Sequence, residues 1–117
     1  NDLADMWLHE GFTNYSETIF TTCRFGVDAG NAYVQGTRKR IQNKQAIIPD
    51  FGVNNEGSGD MYYKGGNLIH FVRQLVGDDD RFRMGLREMN KRWYHRTVNS
   101  TEVEAFWSNW SGNNSFI

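Results

Sequence analysis

Apolar residues recur along this chain at intervals of three and four, the spacing of amphipathic helices, whereas strict alternation is scarce. The pattern predicts five helices. The first covers residues 3–22, and its apolar positions are Leu3, Met6, Trp7, Tyr15, Ile19 and Phe20. The second covers residues 28–44, and its inward positions are Ala29, Ala32, Tyr33 and Ile41.

The other three predicted helices follow an irregular stretch, residues 45–59, that contains Pro49 and three glycines. The third begins near Asp60, and its apolar positions are Met61, Leu68, Val72, Leu75 and Val76. The inward-facing apolar positions of the fourth helix are Phe82, Leu86, Met89 and Trp93. Those of the fifth helix are Val103, Phe106, Trp107 and Trp110. These elements predict a single all-α domain over residues 1–117, with about five helices in a bundle-like array.

Local signals mark where the helices end and begin. Gly26, Gly77 and Gly112 each follow a predicted helix, where the left-handed conformation that glycine tolerates can close the last turn. Thr101 and Glu104 have the spacing of a capping box, in which each side chain bonds to the other residue's backbone. The fifth helix is therefore expected to begin at residue 100 or 101.

Glycines inside two of the predicted helices indicate close packing. Gly11 costs roughly 1 kcal/mol relative to alanine in a helix interior, which indicates that another segment approaches the backbone there. Gly65 and Gly66, near the start of the third helix, would allow equally tight packing.

Composition narrows the class of protein. A chain of 117 residues with 15% aromatics is typical of a folded domain and not of a disordered one. The net charge of -1 gives no electrostatic footprint for nucleic acid or an anionic membrane, and no apolar run is long enough to span a bilayer. The single cysteine, Cys23, permits no internal disulfide, and we expect it to be buried. Arg38, Lys39 and Arg40 are interpreted as ordinary surface charges.

The first helix carries the acids that could do chemistry. Glu10, Asn14 and Glu17 stand at positions i, i+4 and i+7, so they share one face. Glu10 lies in an aromatic segment, where burial of a carboxylate is costly unless a cation or a metal meets it. Three outcomes stay open on these grounds: solvent exposure, which is the commonest, an ion pair, or metal ligation.

The residues around Glu10 form a longer pattern, Trp7-Leu8-His9-Glu10-Gly11-Phe12-Thr13-Asn14-Tyr15-Ser16-Glu17. This string resembles the W-L-x-E-G-[FL]-[AT]-x-Y-x-E segment of the gluzincin aminopeptidases, the alanyl-aminopeptidase and leukotriene-hydrolase group, which have a thermolysin-like catalytic domain. The resemblance implies that Glu10 is a zinc ligand and that Glu17 orients a ligand histidine by hydrogen bonding. His9 occupies the variable position, and we expect it to point away from the ligand face.

A second stretch, Asp60-Met61-Tyr62-Tyr63-Lys64-Gly65-Gly66, is similar to the Y-x-K-G segment that begins a later helix in the same family. The resemblance assigns to Tyr62 the hydrogen bond to the developing oxyanion of the attacked carbonyl. The spacing selects Tyr62 over Tyr63, and Lys64 is interpreted as structural. Glu56, in the preceding loop, is a candidate partner for a substrate amine, against the simpler interpretation of an exposed loop acid.

The resemblance implies zinc-assisted hydrolysis of peptides that have a free N-terminus. The family's H-E-x-x-H helix, which supplies two histidine ligands and the general base, does not occur in these 117 residues. We therefore expect a C-terminal part of such a catalytic domain, without peptidase activity or tight zinc binding by itself. We also expect that a face exposed by truncation can promote self-association. The alternative is a non-enzymatic helical interaction module with a fortuitous or decayed motif.

Overall fold

The computed structural model describes residues 2–113, and within that range it contains five α-helices and no strand. The helices are α1 (Met6–Phe25), α2 (Val27–Thr37), α3 (Asp60–Val76), α4 (Asp79–Arg92) and α5 (Ser100–Ser111). Short 3₁₀ turns, Leu3–Asp5 and Arg38–Arg40, precede α1 and follow α2. The all-α prediction is confirmed. The chain divides into two units, Asp2–His70 and residues 71–113 of the described range.

In the first unit, α1 and α2 are joined by a single glycine. Gly26 has φ +99°, a conformation that other residues rarely adopt, and it closes α1 by donating its backbone N–H to the Thr22 carbonyl oxygen. A Cβ atom built at Gly30 would lie 1.9 Å from the Thr22 hydroxyl oxygen. Because no larger side chain fits between the helices there, Gly30 fixes how closely α2 packs on α1.

The buried face of α1 consists of Trp7, Leu8, Gly11, Tyr15 and Thr18. Two predictions for this helix are wrong. Ile19 and Phe20 are exposed, since the buried stripe follows Thr18 and Tyr15 instead. Cys23 is also exposed, because it follows Thr22, which faces α2, and successive residues of a helix point about 100° apart.

The second helix is shorter than predicted. Past the Arg38–Arg40 turn, Ile41 is extended, and the backbone N–H groups of Gln42 and Asn43 donate to the Asp60 carboxylate at 2.9 and 2.7 Å instead of continuing the helix. Gly30 and Val34 are the buried residues of α2. The predicted inward positions Ala32 and Tyr33 are exposed, so that assignment is wrong.

The second unit contains α4 and α5, which pack through aromatic rings. The Asp78 carboxylate caps α4 by accepting the Arg81 backbone N–H at 2.9 Å. The rings of Phe82 and Trp107 stack with centroids 5.2 Å apart. A Cβ atom built at Gly85 would lie 2.8 Å from the Trp107 ring, so this glycine admits the indole.

The ends of the later helices were predicted in part. Gly77 and Gly112 follow α3 and α5 with φ of +74° and +70°, which confirms both stop signals. The capping box of α5 is formed by Asn99 and Glu102, not by Thr101. Two overlapping patterns were available in the sequence, and the capping residue lies two positions before the one that we selected, whereas the helix itself begins at Ser100, as expected.

None of the helices in residues 2–113 has both the length and the apolar character needed to cross a membrane.

Candidate functional site

The acidic face of α1 is only partly covered. Glu10 lies in the second turn of the helix and is half-buried. Asn14 is half-buried as well, whereas Glu17 is exposed. His9 is exposed, as expected for the variable position of the motif. The carboxylates that the sequence singled out therefore lie on accessible surface and not in the core.

The two motif-bearing helices, α1 and α3, pack against each other at one glycine from each motif. A Cβ atom built at Gly65 would lie 3.2 Å from the Gly11 Cα. One built at Gly11 would lie 3.4 Å from the Gly65 Cα and from the Met61 carbonyl oxygen. Larger side chains would push the helix backbones apart. The close approach that Gly11 predicted is thus confirmed, and the second motif makes it.

This packing brings Glu10 and Tyr62 to the same end of the helix pair. Three contacts, taken in order along α1, advance in the same order along α3: Gly11 with Met61, Asn14 with Gly66, and Tyr15 with His70. Glu10 is the sequence neighbour of Gly11, and Tyr62 is the neighbour of Met61. Both candidate residues therefore flank the first of these contacts.

The adjacent tyrosines at the start of α3 differ in what their hydroxyls contact. The Tyr63 hydroxyl accepts a hydrogen bond from Arg40 Nη1 at 2.7 Å. Tyr62 is 41% exposed, and its hydroxyl forms no hydrogen bond within residues 2–113. Lys64 donates from Nζ to Asn43 Oδ1 at 2.8 Å, which ties the preceding loop to α3. Of the two tyrosines, Tyr62 is the one whose hydroxyl is available to a ligand.

Glu17 accepts a hydrogen bond from the hydroxyl of Tyr33 on α2. This bond, with burial and the Glu17 charge adding to it, raises the pKa of Tyr33 above its ordinary value. The resemblance predicted that Glu17 orients a ligand histidine by hydrogen bonding, and the hydrogen bond with Tyr33 was not predicted. The available signal was Gly26, which lets α2 fold back along α1.

Two surface cavities in the first unit share a wall formed by Arg40 and Tyr63. The first measures about 510 Å³, and the charged or aromatic side chains that line it are Glu17, Tyr33, Lys39, Arg40 and Tyr63. The second measures about 370 Å³, and the polar side chains that line it are Arg40, Gln42, Lys44, Gln45, Ser58, Asp60 and Tyr63. Glu10 and Tyr62 line neither cavity.

The described side chains do not provide the ligand set of a complete zinc site. Within residues 2–113, no three His, Cys, Asp or Glu side chains come together in a group that could hold a metal ion. The half-buried Glu10 carboxylate can serve as one oxygen ligand, whereas a catalytic zinc has three protein ligands. The described residues therefore provide one of the three protein ligands that a catalytic zinc requires. Glu56 is exposed in the loop before α3 and lines neither of the two cavities.

Comparisons of the chain with protein-family models, with curated proteins and with solved structures found no match. The features of the chain that bear on its function are therefore the two motifs and the geometry of the helices that carry them.

Proposed function

We propose that this chain carries part of the active site of a zinc-dependent aminopeptidase of the gluzincin type. Glu10 is one zinc ligand, Glu17 supports the ligand set, and Tyr62 donates a hydrogen bond to the oxyanion that forms on the substrate. The substrate is a peptide with a free N-terminus.

The observation that carries the proposal is the contact between the two motifs. Gly11 follows the proposed ligand in the first motif, Gly65 follows Lys64 in the second, and a Cβ at Gly65 would lie 3.2 Å from the Gly11 Cα. The motifs lie about fifty residues apart in sequence. Two fortuitous matches would have no reason to meet at their own glycines, whereas one site requires its residues to converge.

Tyr62 has the properties that an oxyanion donor needs. It is 41% exposed, its hydroxyl makes no hydrogen bond within the described chain, and it lies on the helix turn that Gly65 anchors against α1. A donor held in place before the reaction stabilises developing negative charge by about 2.7–4 kcal/mol. Zinc, when bound, would supply Lewis-acid polarisation of the attacking water and of the substrate carbonyl.

Glu10 offers a half-buried carboxylate in the second turn of a helix, beside the face that is packed. Its backbone is held by the Gly11 contact, so the side chain projects from a fixed position. A single carboxylate does not retain zinc tightly, because catalytic sites use three protein ligands. Further ligands must therefore join Glu10 from outside the described residues.

The test uses a longer polypeptide, in which an H-E-x-x-H helix precedes this sequence. Alanine 4-nitroanilide and its N-acetylated form are compared as substrates, with and without a zinc chelator. The proposal predicts cleavage of the free amine only, abolished by the chelator. Equal cleavage of both compounds, or cleavage that survives zinc removal, would contradict it. Absence of both zinc and cleavage would favour the interaction module.

A further inference from the structure

The segment that follows α2 carries four cations and no acid. Residues 38–44 read Arg-Lys-Arg-Ile-Gln-Asn-Lys. Two ion pairs are formed elsewhere in the described chain, by Arg73 with Asp79 and by Arg83 with Asp80. None of the four cations of the segment lies within ion-pair distance of a carboxylate among residues 2–113. None of the four cations is therefore directly paired with a carboxylate of the described residues.

The two arginines of this segment are nevertheless held in place. Arg40 donates from Nη1 to the Tyr63 hydroxyl at 2.7 Å, and its guanidinium carbon lies 5.2 Å from the Tyr63 ring centre. Arg38 donates from Nε to Asn67 Oδ1 at 3.0 Å. Both acceptors are neutral, so each guanidinium keeps its full charge and most of its N–H donors. Such fixed but uncompensated guanidinium groups are preorganised for an anion.

Arg40 and Lys44 line the cavity of about 370 Å³ against the start of α3. The one acid in its lining is Asp60, which is buried at 4% exposure. The carboxylate of Asp60 accepts the backbone N–H of Gln42 and that of Asn43, and these bonds lower its pKa against the opposing effect of burial. Both carboxylate oxygens of Asp60 are thus occupied by hydrogen bonds from the loop backbone. The charged side chains that line the cavity are two cations and one carboxylate.

We propose that Arg40 and Lys44 bind a carboxylate in this cavity, namely the C-terminal carboxylate of a short peptide. The planar fork of a guanidinium matches the two oxygens of a carboxylate, and the ammonium adds a second positive charge. Tyr63, which orients Arg40, is the sequence neighbour of Tyr62. The identification of the ligand as a peptide rests on the proposed function, whereas the carboxylate site itself does not.

The experiment measures binding by NMR to the full 117-residue chain, without zinc and without turnover. The probes are N-acetylglycine and N-acetylglycinamide, which differ only in whether the terminus carries a charge. We expect saturable shifts of the Arg40 and Tyr63 side-chain signals with the acid, and at least about tenfold weaker binding of the amide. Equal binding of the acid and the amide would overturn the proposal.

Variants locate the site on the chain. Arg40→Gln should lower the affinity for N-acetylglycine to that of the amide, and Arg40→Lys, which keeps the charge but loses the fork, should give an intermediate affinity. The matched control is Arg87→Gln on α4, an exposed arginine that forms no hydrogen bond, ion pair or ring contact in the described chain, and this variant should bind like the parent. Unchanged binding by Arg40→Gln would overturn the assignment.

Inorganic phosphate is the third probe, because a guanidinium also binds phosphate. Phosphate that binds at Arg40 more tightly than N-acetylglycine would overturn the choice of a carboxylate. Because these measurements need neither zinc nor hydrolysis, carboxylate binding without peptidase activity in the extended polypeptide would sink the proposed function alone. Peptidase activity without carboxylate binding would sink this inference alone.

Discussion

Adjacent residues at the start of α3 illustrate how one position separates a structural tyrosine from a candidate catalytic one. The hydroxyl of Tyr63 is engaged by Arg40, whereas that of Tyr62 makes no hydrogen bond within residues 2–113. A phenol that is already a structural acceptor is less free to turn toward a reacting carbonyl. The proposal therefore concerns the hydroxyl of Tyr62 specifically, which a single-atom change can test.

Tyr62→Phe removes that hydroxyl and keeps the ring. In a zinc-loaded polypeptide that includes an H-E-x-x-H helix, we expect kcat to fall by about 10²–10³-fold with zinc content unchanged. Steady-state kinetics with alanine 4-nitroanilide, together with metal analysis, measure both quantities. Tyr94→Phe, at a residue that is 73% exposed, is the control and should retain kcat. A fall of less than about threefold for Tyr62→Phe would remove the oxyanion role.

The Glu17–Tyr33 hydrogen bond predicts a change in a measurable pKa. Glu17→Gln removes the charge that helps to keep the Tyr33 proton bound, so the pKa of Tyr33 should fall toward its ordinary value. Ultraviolet absorbance of tyrosinate against pH measures it, and Tyr33→Phe identifies the step that belongs to this residue. An unchanged titration curve in Glu17→Gln would mean that the bond does not form in solution.

The sign of the accompanying stability effect follows from linkage. The folded-state pKa of Tyr33 is raised, so its contribution to the free energy of unfolding is complete below the ordinary tyrosine pKa of about 10. The contribution is lost as pH rises through the higher folded value. Glu17→Gln should therefore lower the free energy of unfolding at neutral pH, and its difference from the parent should shrink as pH rises through the folded-state pKa of Tyr33.

At the scale of helices, the contact between α1 and α3 depends on two residues without side chains. Gly65→Ala would place a Cβ 3.2 Å from the Gly11 Cα, and the opposing atom is backbone, which cannot rotate away. We expect a loss of about 1–3 kcal/mol in the free energy of unfolding. Urea denaturation followed by circular dichroism measures it.

Gly36→Ala on α2 is the matched control for that prediction. A Cβ built at Gly36 meets nothing within 4 Å, and the residue is exposed. Higher helix propensity should therefore stabilise this variant by about 0.5–1 kcal/mol. If both variants were stabilised alike, the close packing of α1 on α3 would be wrong.

The start of α5 provides an independent test of a second element. Asn99 accepts the Glu102 backbone N–H at 2.9 Å, and the Glu102 carboxylate accepts the Asn99 backbone N–H in return. Asn99→Ala should lower the free energy of unfolding by about 1 kcal/mol. Thr101→Ala should change it by less than about 0.5 kcal/mol, because Thr101 is exposed and does not cap the helix. A larger loss for Thr101→Ala than for Asn99→Ala would show that Thr101 is the capping residue of α5, as the sequence pattern predicted.

Helix ends set by local chemistry were predictable, and those set by distant partners were not. Gly77 and Gly112 were recognised because a positive φ after a helix is a local requirement. The end of α2 was missed because its determinant, the Asp60 carboxylate, lies 18 residues beyond Gln42. Periodicity alone also could not tell that Ile19 and Phe20 leave the buried face.

The same distinction applies to the candidate site. Glu10 and Tyr62 could be selected because their short motifs resemble those of a known family, and the packing of α1 on α3 places both at one end of the helix pair. Neither the Glu17–Tyr33 pair nor the Arg40–Tyr63 pair follows from spacing, because each depends on where α2 and its following turn lie, and Gly26 indicates only that α2 turns back along α1. Polar pairs between helices carry no fixed sequence spacing.

At the scale of the whole chain, the candidate chemistry is confined to one unit. Glu10, Glu17, Glu56 and Tyr62 all belong to Asp2–His70. The unit that begins at Phe71 is characterised by packed rings, such as Phe106 stacked on Trp110 with centroids 5.7 Å apart. Its contribution in this account is to stability, and the site predictions do not depend on it.

The 117-residue chain by itself provides a prediction at this scale. With one candidate carboxylate and no H-E-x-x-H sequence, it should hydrolyse alanine 4-nitroanilide no faster than buffer containing the same zinc concentration. A zinc-dependent rate near that of the extended polypeptide would show that these residues assemble a complete site, against the present account.

The central claim is that Glu10 is a zinc ligand, and metal analysis tests it most directly. Purified polypeptides that join this chain to an H-E-x-x-H helix are dialysed against a weak chelator, and zinc per chain is measured for the parent, Glu10→Gln and Glu104→Gln. Glu104 is a half-buried glutamate on α5, comparable in exposure to Glu10. The account predicts about one zinc per chain in the parent and in Glu104→Gln, and a small fraction of that in Glu10→Gln. Equal zinc in all three polypeptides would contradict it.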